Sequence, residues 1–427
     1  MDTISLVNSR REFVQNAGLT AAGIGMAPAF AYGFSAGNSS GISIRSFLSK
    51  KLYNRREVDD WLAGRGTQFA VYDSETGWLL RDARWSGSVN NLLKSEGVNG
   101  VTWETSFDHD KFHQRHMSAY AGKSCRINTY GDSFTHCDQV NDGETWQEVL
   151  ANHLREPIRN FGIGAYSVYQ AYLRMLREEK RAPSDLIILN IFEDDHYRNV
   201  GAWGTIRAGK DWRFLWPTLP YLTVNFSTGK SEGHKNPCPT EDMVYKLCDL
   251  DWTEERFGND FTLGIMLAME NAKEGNEDRA WQILDATAKT YGLKEEISRT
   301  GTVLDAAVKL HTRGALQSTM QVVDWVDEFA MQNKKQVLYV LSFRNFHDGP
   351  RYDQPFLDFL DHKKVNYIDL MKAHNEEFRH FSGSVEEYTS LYWNGHYNPH
   401  GNFFTAHAIR DKVIGMLNPK PPAYQAF

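Results

Sequence analysis

The feature that most limits how this chain can fold is the stretch Asp185–Phe192, which reads Asp-Leu-Ile-Ile-Leu-Asn-Ile-Phe and follows Pro183. A strand with one face in water alternates apolar and polar residues. A strand that is apolar nearly throughout needs cover on both faces, and a parallel sheet clad by helices on each side gives it that cover. The flanking sequence keeps the matching rhythm. Arg126–Tyr130 is a short strand closed by Gly131, and Thr145–Leu154 has helical spacing with Trp146, Val149 and Leu150 on one face. Ile158–Phe161 is a second strand ending at Gly162, and Val168–Glu179 is a helix. After a long interval Gln336–Ser342 and Val365–Asp369 are strand-like again, and a helix is expected from about Phe403 to Leu417. Strands alternating with helices predict an α/β protein, a three-layer α/β/α doubly wound parallel sheet of the flavodoxin-like kind.

Residues 200–335 break the rhythm. They hold a Pro/Trp-rich loop and helical stretches around 241–248, 260–273, 277–291 and 303–332. They read as a helical insertion after the third core strand, where loops at strand C-termini line the ligand crevice. The expected organisation is a leader over 1–31, a Gly/Ser-rich linker over 32–45, an N-terminal extension to residue 120 packed on the core, and a main domain over 121–427 that contains the insertion. The leader expectation rests on Ser9-Arg10-Arg11-Glu12-Phe13-Val14, an uncharged Gly/Ala-rich stretch from Ala17 to Ala31, and the small residues of Ala29-Phe30-Ala31. This pattern is that of a twin-arginine export signal, too short and weakly apolar for a membrane span, and predicts a periplasmic or secreted protein. No later segment is apolar enough to cross a bilayer.

The 427 residues are 41% hydrophobic and 24% charged with net charge -7, a globular composition with no basic excess to suggest nucleic acid. Cys125, Cys137, Cys238 and Cys248 form no CxxC pair, so a zinc ribbon is not indicated. Either one local disulfide between Cys238 and Cys248 or four free thiols fits this spacing.

The chemistry centres on Tyr130-Gly131-Asp132-Ser133-Phe134-Thr135, directly after the first strand. Glycine permits a sharp turn there, and a serine at the following helix start lies where free backbone N–H groups meet developing negative charge. In isolation such a tripeptide is also a plain turn and helix cap. Other blocks accompany it: Val140–Trp146, Asn160–Tyr166 with Gln170, Pro183–Leu189, His396-Tyr397-Asn398-Pro399-His400-Gly401, and upstream Tyr72–Trp78. Taken together they resemble the SGNH (GDSL-like) hydrolases over most of the chain except 200–335.

The resemblance implies that Ser133 is a nucleophile and His396 its base, with no cofactor or metal. It implies an oxyanion hole from the Ser133 and Gly164 N–H groups and from the third-block position, which falls on Asp194. Two positions depart from the family pattern. The third block usually has Asn, and an ionised Asp194 would repel the developing charge. Two residues before the histidine the family usually has Asp, and here stands Asn394, which removes the charge that steadies an imidazolium. In a serine protease the comparable change costs about 10⁴ in turnover. A Ser-His dyad, or a carboxylate from Asp194 or Asp195, would compensate. Asp132, Asp195, His400 and Trp393 are further residues expected near the reaction or the substrate. His400 is a second candidate base, and Trp393 either stacks on a sugar or packs.

Two other clusters were weighed. Asp108-His109-Asp110 with His113 and His116 matches no strong zinc spacing and reads as a solvated polar segment. Glu193-Asp194-Asp195-His196 with Asp132, Asn394 and His396 has the oxygen and imidazole types that suit a divalent metal. The expected function is ester hydrolysis through a Ser133 acyl-enzyme, and the export pattern and aromatic content direct it to an O-acyl group, such as acetyl, on an oligosaccharide or polysaccharide. The competing readings are glycan O-acyl transfer, metal-assisted or otherwise modified cleavage of a glycoside, sulfate or phosphate ester, and non-catalytic glycan binding.

Overall fold

In the computed structural model, residues 41–65, 70–89, 101–210, 217–344, 346 and 349–425 are described, with backbone only for 85–89 and 101–104. The arginine pair, the stretch 17–31 and most of the linker lie outside them. The chain forms two compact units, one from residues up to Trp78 with His196–Gln321, the other from Leu79–Asp195 with Val322–Phe427.

The second unit is built on a five-stranded sheet. Its strands are β1 (Ile127–Tyr130), β2 (Ile158–Asn160), β3 (Leu186–Phe192), β4 (Gln336–Ser342) and β5 (Tyr367–Asp369), in the spatial order β5-β4-β3-β1-β2. All four pairings are parallel, with Tyr130 opposite Leu189 and Ser342 opposite Phe192. This is the 2-1-3-4-5 order of doubly wound sheets, whose ligand crevice lies at the C-terminal ends of the strands where the order reverses, between β1 and β3. Every residue of β3 is buried, as its composition requires.

The helices of this unit that bear on the site are α1 (Ser133–His136), α2 (Trp146–Leu154), α3 (Val168–Arg181), α4 (Leu370–Phe378), α5 (Val385–Tyr392) and α6 (Pro399–Met416). One sheet face buries Ile127, Leu186, Ile188, Phe192, Leu338 and Val340 against α2, α4 and α6. Polar strand residues find partners on the helices. On this face Thr129 Oγ1 accepts from Gln147 at 3.1 Å. On the other, Asn128 and the Tyr130 hydroxyl both donate to Glu179 of α3, at 2.7 and 2.9 Å. The residues Val322–Gln332, the end of a helix that begins at Val303, cover that second face too: the Tyr339 hydroxyl donates to Asp327 at 2.7 Å. Ser167 and Gln170 cap α3 reciprocally, which fixes where the chain turns from β2 into the helix.

The other unit holds the helices Phe261–Lys273 and Glu277–Thr290, close to the spans expected. It also holds an antiparallel hairpin, Tyr221–Asn225 with Lys230–His234, where a loop was expected. The second strand of this hairpin reads Lys-Ser-Glu-Gly-His, with no apolar alternation to betray it. Residues 41–78 belong to this unit, tied by the Tyr72 hydroxyl to the Cys238 carbonyl at 2.9 Å and by Asn271 to Ile42. All four cysteines are free thiols, so the local Cys238–Cys248 disulfide is not formed. Among the described residues no helix is long and apolar enough to cross a membrane.

Gly131 ends β1 at φ +149, and a Cβ there would lie 2.6 Å from the Asn190 carbonyl of β3 and 2.2 Å from Thr135 Oγ1. Neither the strand carbonyl nor the helix has room to yield. Gly131→Ala is expected to cost about 2 kcal/mol or more, read as a lower urea midpoint at unchanged m-value.

Candidate active site

Ser133 is the first residue of α1, and Asp132 caps that helix by accepting the Phe134 N–H at 2.9 Å. Ser133 is 6% exposed, so its hydroxyl opens onto the C-terminal edge of the sheet from an otherwise closed setting. Its carbonyl accepts the N–H groups of Cys137 and Asp138 at 2.7 and 3.2 Å. His396 comes from the loop before α6, and its Nε2 lies 2.8 Å from Ser133 Oγ. Asp132 Oδ2 is farther from the hydroxyl, at 3.2 Å. A hydroxyl has one proton to give, and the shorter contact is to the imidazole. With the ring proton on Nδ1, Nε2 is a base aimed at Ser133.

The loop that presents His396 is closely specified. Trp393 and Tyr397 form an isolated bridge, the Asn394 N–H reaches the His396 carbonyl at 3.0 Å, and Gly395 takes φ +107. The His396 N–H donates to Gln139 Oε1 at 2.7 Å, joining this loop to the segment that follows the nucleophile. Asn398 caps α6 by accepting the Gly401 N–H. Beneath the pair, the Phe134 ring lies 5.0 Å from the His396 ring and stacks on Phe192 at 4.4 Å. Gln139 and this aromatic floor were not singled out in the sequence. Nearness to Ser133 along the chain was the available signal for Gln139 and Phe134, and Phe192 had none.

The remaining candidates fall in different places. Asn394 is two residues from the base, but its Oδ1 is buried and accepts no hydrogen bond, so it does not receive a proton from the imidazole. His400 is exposed on the first turn of α6. Trp393 is buried among Phe343, His374 and Tyr397, which is the packing role and leaves no face for a sugar. Asp195 is buried and accepts the Phe192 N–H at 3.0 Å, holding the turn at the end of β3. Gly164 is buried in the turn after β2, beside Asp138. Asp194 sits at the end of β3, and its charge bears on its neighbour Glu193.

Glu193 was noted in the sequence only for its carboxylate. Burial pushes its carboxyl up to about 7, against the pull of the Arg344 N–H that it accepts at 3.0 Å. This places the Glu193 carboxyl near neutrality at the mouth of the sheet. Among the described residues no group of three or more His, Cys, Asp or Glu side chains is placed to hold a metal ion.

No protein-family model and no curated protein matches the chain. Several solved structures are similar in part, two of them as follows. One is a Bacteroides fragilis NCTC 9343 protein assigned as an acylhydrolase, 13% identical, with 70% of this chain and 90% of that one covered and a TM-score of 0.30. The other is a Desulfitobacterium hafniense DCB-2 protein assigned to the G-D-S-L family of lipolytic proteins, 10% identical, covering 67% and 97% at a TM-score of 0.27. At these scores the reading of the site rests on its own geometry.

The raised Glu193 carboxyl has a consequence for stability. Below pH 4.5 it is protonated whether the chain is folded or not, and above that the unfolded chain ionises first. Stability is therefore expected to fall as pH rises from 4.5 to about 7. The change is of order 2 kcal/mol, less than full linkage because Glu193 keeps part of its surface in water. Urea unfolding across that range checks it, and Glu193→Gln should flatten the slope.

Proposed function

We propose that this protein is a serine hydrolase that cleaves esters through an acyl-enzyme on Ser133. The observation that carries the reading is the 2.8 Å contact between Ser133 Oγ and His396 Nε2, at the strand ends where a doubly wound sheet opens its crevice. Ser133 Oγ attacks the acyl carbonyl as its proton passes to Nε2. The tetrahedral oxyanion is met by the N–H groups of Ser133 and Gly164. His396 then returns the proton to the departing alkoxide, and in the second half-reaction takes one from water, which releases the acid. Asn394 is not the group that steadies the ring: it offers no charge, and among the described residues its carbonyl oxygen accepts no hydrogen bond, so with respect to position 394 the pair works as a dyad. Asp132 is wholly buried, with Oδ2 3.2 Å from the hydroxyl. Asp194 completes the oxyanion hole only in its protonated form.

The substrate in this proposal is an O-acylated oligosaccharide or polysaccharide outside the cytoplasm. Its supports are the twin-arginine pattern at residues 9–14 and the 13% aromatic content, and not the site geometry.

With p-nitrophenyl acetate, Ser133→Ala and His396→Ala are each expected to lower kcat/KM at least about 1,000-fold, with no effect of EDTA on the wild type. Asn394→Ala should stay within about fivefold of wild type, the mark of a dyad rather than a triad. Turnover that survives Ser133→Ala, or that needs a chelatable metal, would remove the mechanism.

A further inference from the structure

The unit that carries Ser133 also contains a buried array that the reaction does not use. His136, the last residue of α1, places Nδ1 2.6 Å from Asp138 Oδ1 and Nε2 3.0 Å from His109 Nε2. The two imidazole planes are 15° apart with centroids 5.2 Å apart, so the rings meet edge to edge through that bond, and the Phe107 ring meets both at a steep angle. The stretch around His109 was expected to be solvated, yet the His109 side chain is 2% exposed. Burial holds both rings neutral, His109 falling to about 2 and His136 well below its ordinary range. The proton positions then follow. A carboxylate only accepts, so His136 carries its proton on Nδ1, and its bare Nε2 takes the Nε2–H of His109. Each ring has one orientation in which these bonds form, so the Asp138 carboxylate is fixed in direction. The array is closed from behind by Arg115, which donates to the carbonyls of His136, Cys137 and Val140 and pairs with Asp142 at 2.8 Å.

The other end of Asp138 faces the turn after β2. Oδ2 would lie 2.9 Å from a Cβ on Gly164, and a Cβ on Gly162 would lie 2.3 Å from the His136 nitrogen, so the turn sits directly on the C-terminus of α1. The turn is also tied to Gly131, whose carbonyl accepts the Ile163 N–H at 3.1 Å, and it closes on itself from Tyr166 N–H to the Ile163 carbonyl. Within it Ala165 has φ +65, the left-handed region that a residue with a Cβ enters only at a cost. Such a conformation persists where the surroundings over-determine it.

We propose that Asp138, oriented by His136 and His109, is a positioning residue: it holds the Ile163–Tyr166 turn in its strained form and so keeps the oxyanion-side N–H groups aligned with Ser133. This rests on the serine-esterase reading above. Asp138 touches no reacting atom and acts through the turn alone. A turn free to relax would misplace its N–H groups while substrate binding is left intact.

The test uses the full chain, p-nitrophenyl acetate for turnover and a fluorophosphonate probe for the reactivity of Ser133. Asp138→Ala is expected to lower kcat about 100-fold with KM within about threefold. Asp138→Asn, which keeps an oxygen for His136, should stay within about fivefold of wild type. Asp138→Ala combined with Ala165→Gly should regain about fivefold, because glycine removes the left-handed penalty that Asp138 offsets. If Asp138→Ala does not fold, His136→Gln takes its place, with a kcat loss of about tenfold or more at unchanged KM expected. A kcat within about threefold of wild type in the folded variant overturns the proposal. So does a kcat loss that the glycine replacement leaves untouched, since that would assign it to general damage. A wild type that neither turns over the ester nor labels at Ser133 would instead remove the esterase reading itself.

Discussion

The ladder between β1 and β3 joins Ile127–Tyr130 to Leu186–Leu189, with both strands buried along their length. Every other part of the candidate site is placed relative to it. Because the pairing is parallel and its register is fixed by apolar residues on both faces, both strands point their C-terminal ends the same way: β1 ends at Tyr130, opposite Leu189, and β3 runs on to Phe192. Ser133 follows the end of β1 and Glu193–Asp195 the end of β3, at the same edge of the sheet. Only glycine at position 131 allows the chain to pass the Asn190 carbonyl closely enough for α1 to begin where it does. The closeness of Ser133 and His396 is thus a product of sheet geometry first and of side-chain chemistry second.

Charge around the site follows burial more than residue type. Asp132 is kept in place by the Phe134 N–H that it caps. Glu193, a residue with the same functional group, is pushed toward its neutral form because it has lost water and gained the field of Asp194. His109 and His136 are imidazoles like His396, yet they are shut away behind Phe107 and Arg115 and have no access to a reacting proton. Chemistry at one histidine out of three is a matter of which ring the packing leaves open.

Much of this was legible beforehand, for physical reasons that differ by element. β3 could be read because a strand buried on both faces has no alternative composition. β1, β4 and α3 followed from the spacing of their apolar residues, and Ser133 and His396 from the family resemblance of the sequence blocks around them. The hairpin Tyr221–His234 could not be read, since one of its strands is polar throughout. The burial of Trp393 was undecidable, because an indole beside a catalytic loop is composed the same whether it faces a ligand or a core. The contact between His109 and His136, which are 27 residues apart, depends on how Phe107 packs and leaves no local trace. The pull of Glu193 toward neutrality is likewise a property of its surroundings.

Gln139 lies six positions after Ser133 and accepts the backbone N–H of His396 at 2.7 Å. Ser133 and His396 are brought from distant parts of the sequence, yet this bond makes residues 133–139 and 394–398 parts of one small body. Protection of the His396 amide against hydrogen exchange then reports directly on the integrity of the catalytic pair. An opening of that loop far smaller than global unfolding would silence the site while the sheet stays intact. A loop opening below the global transition would separate Ser133 from His396 before the fold melts, so protection of this amide, and not a melting curve of the whole fold, is the measure of the site's integrity.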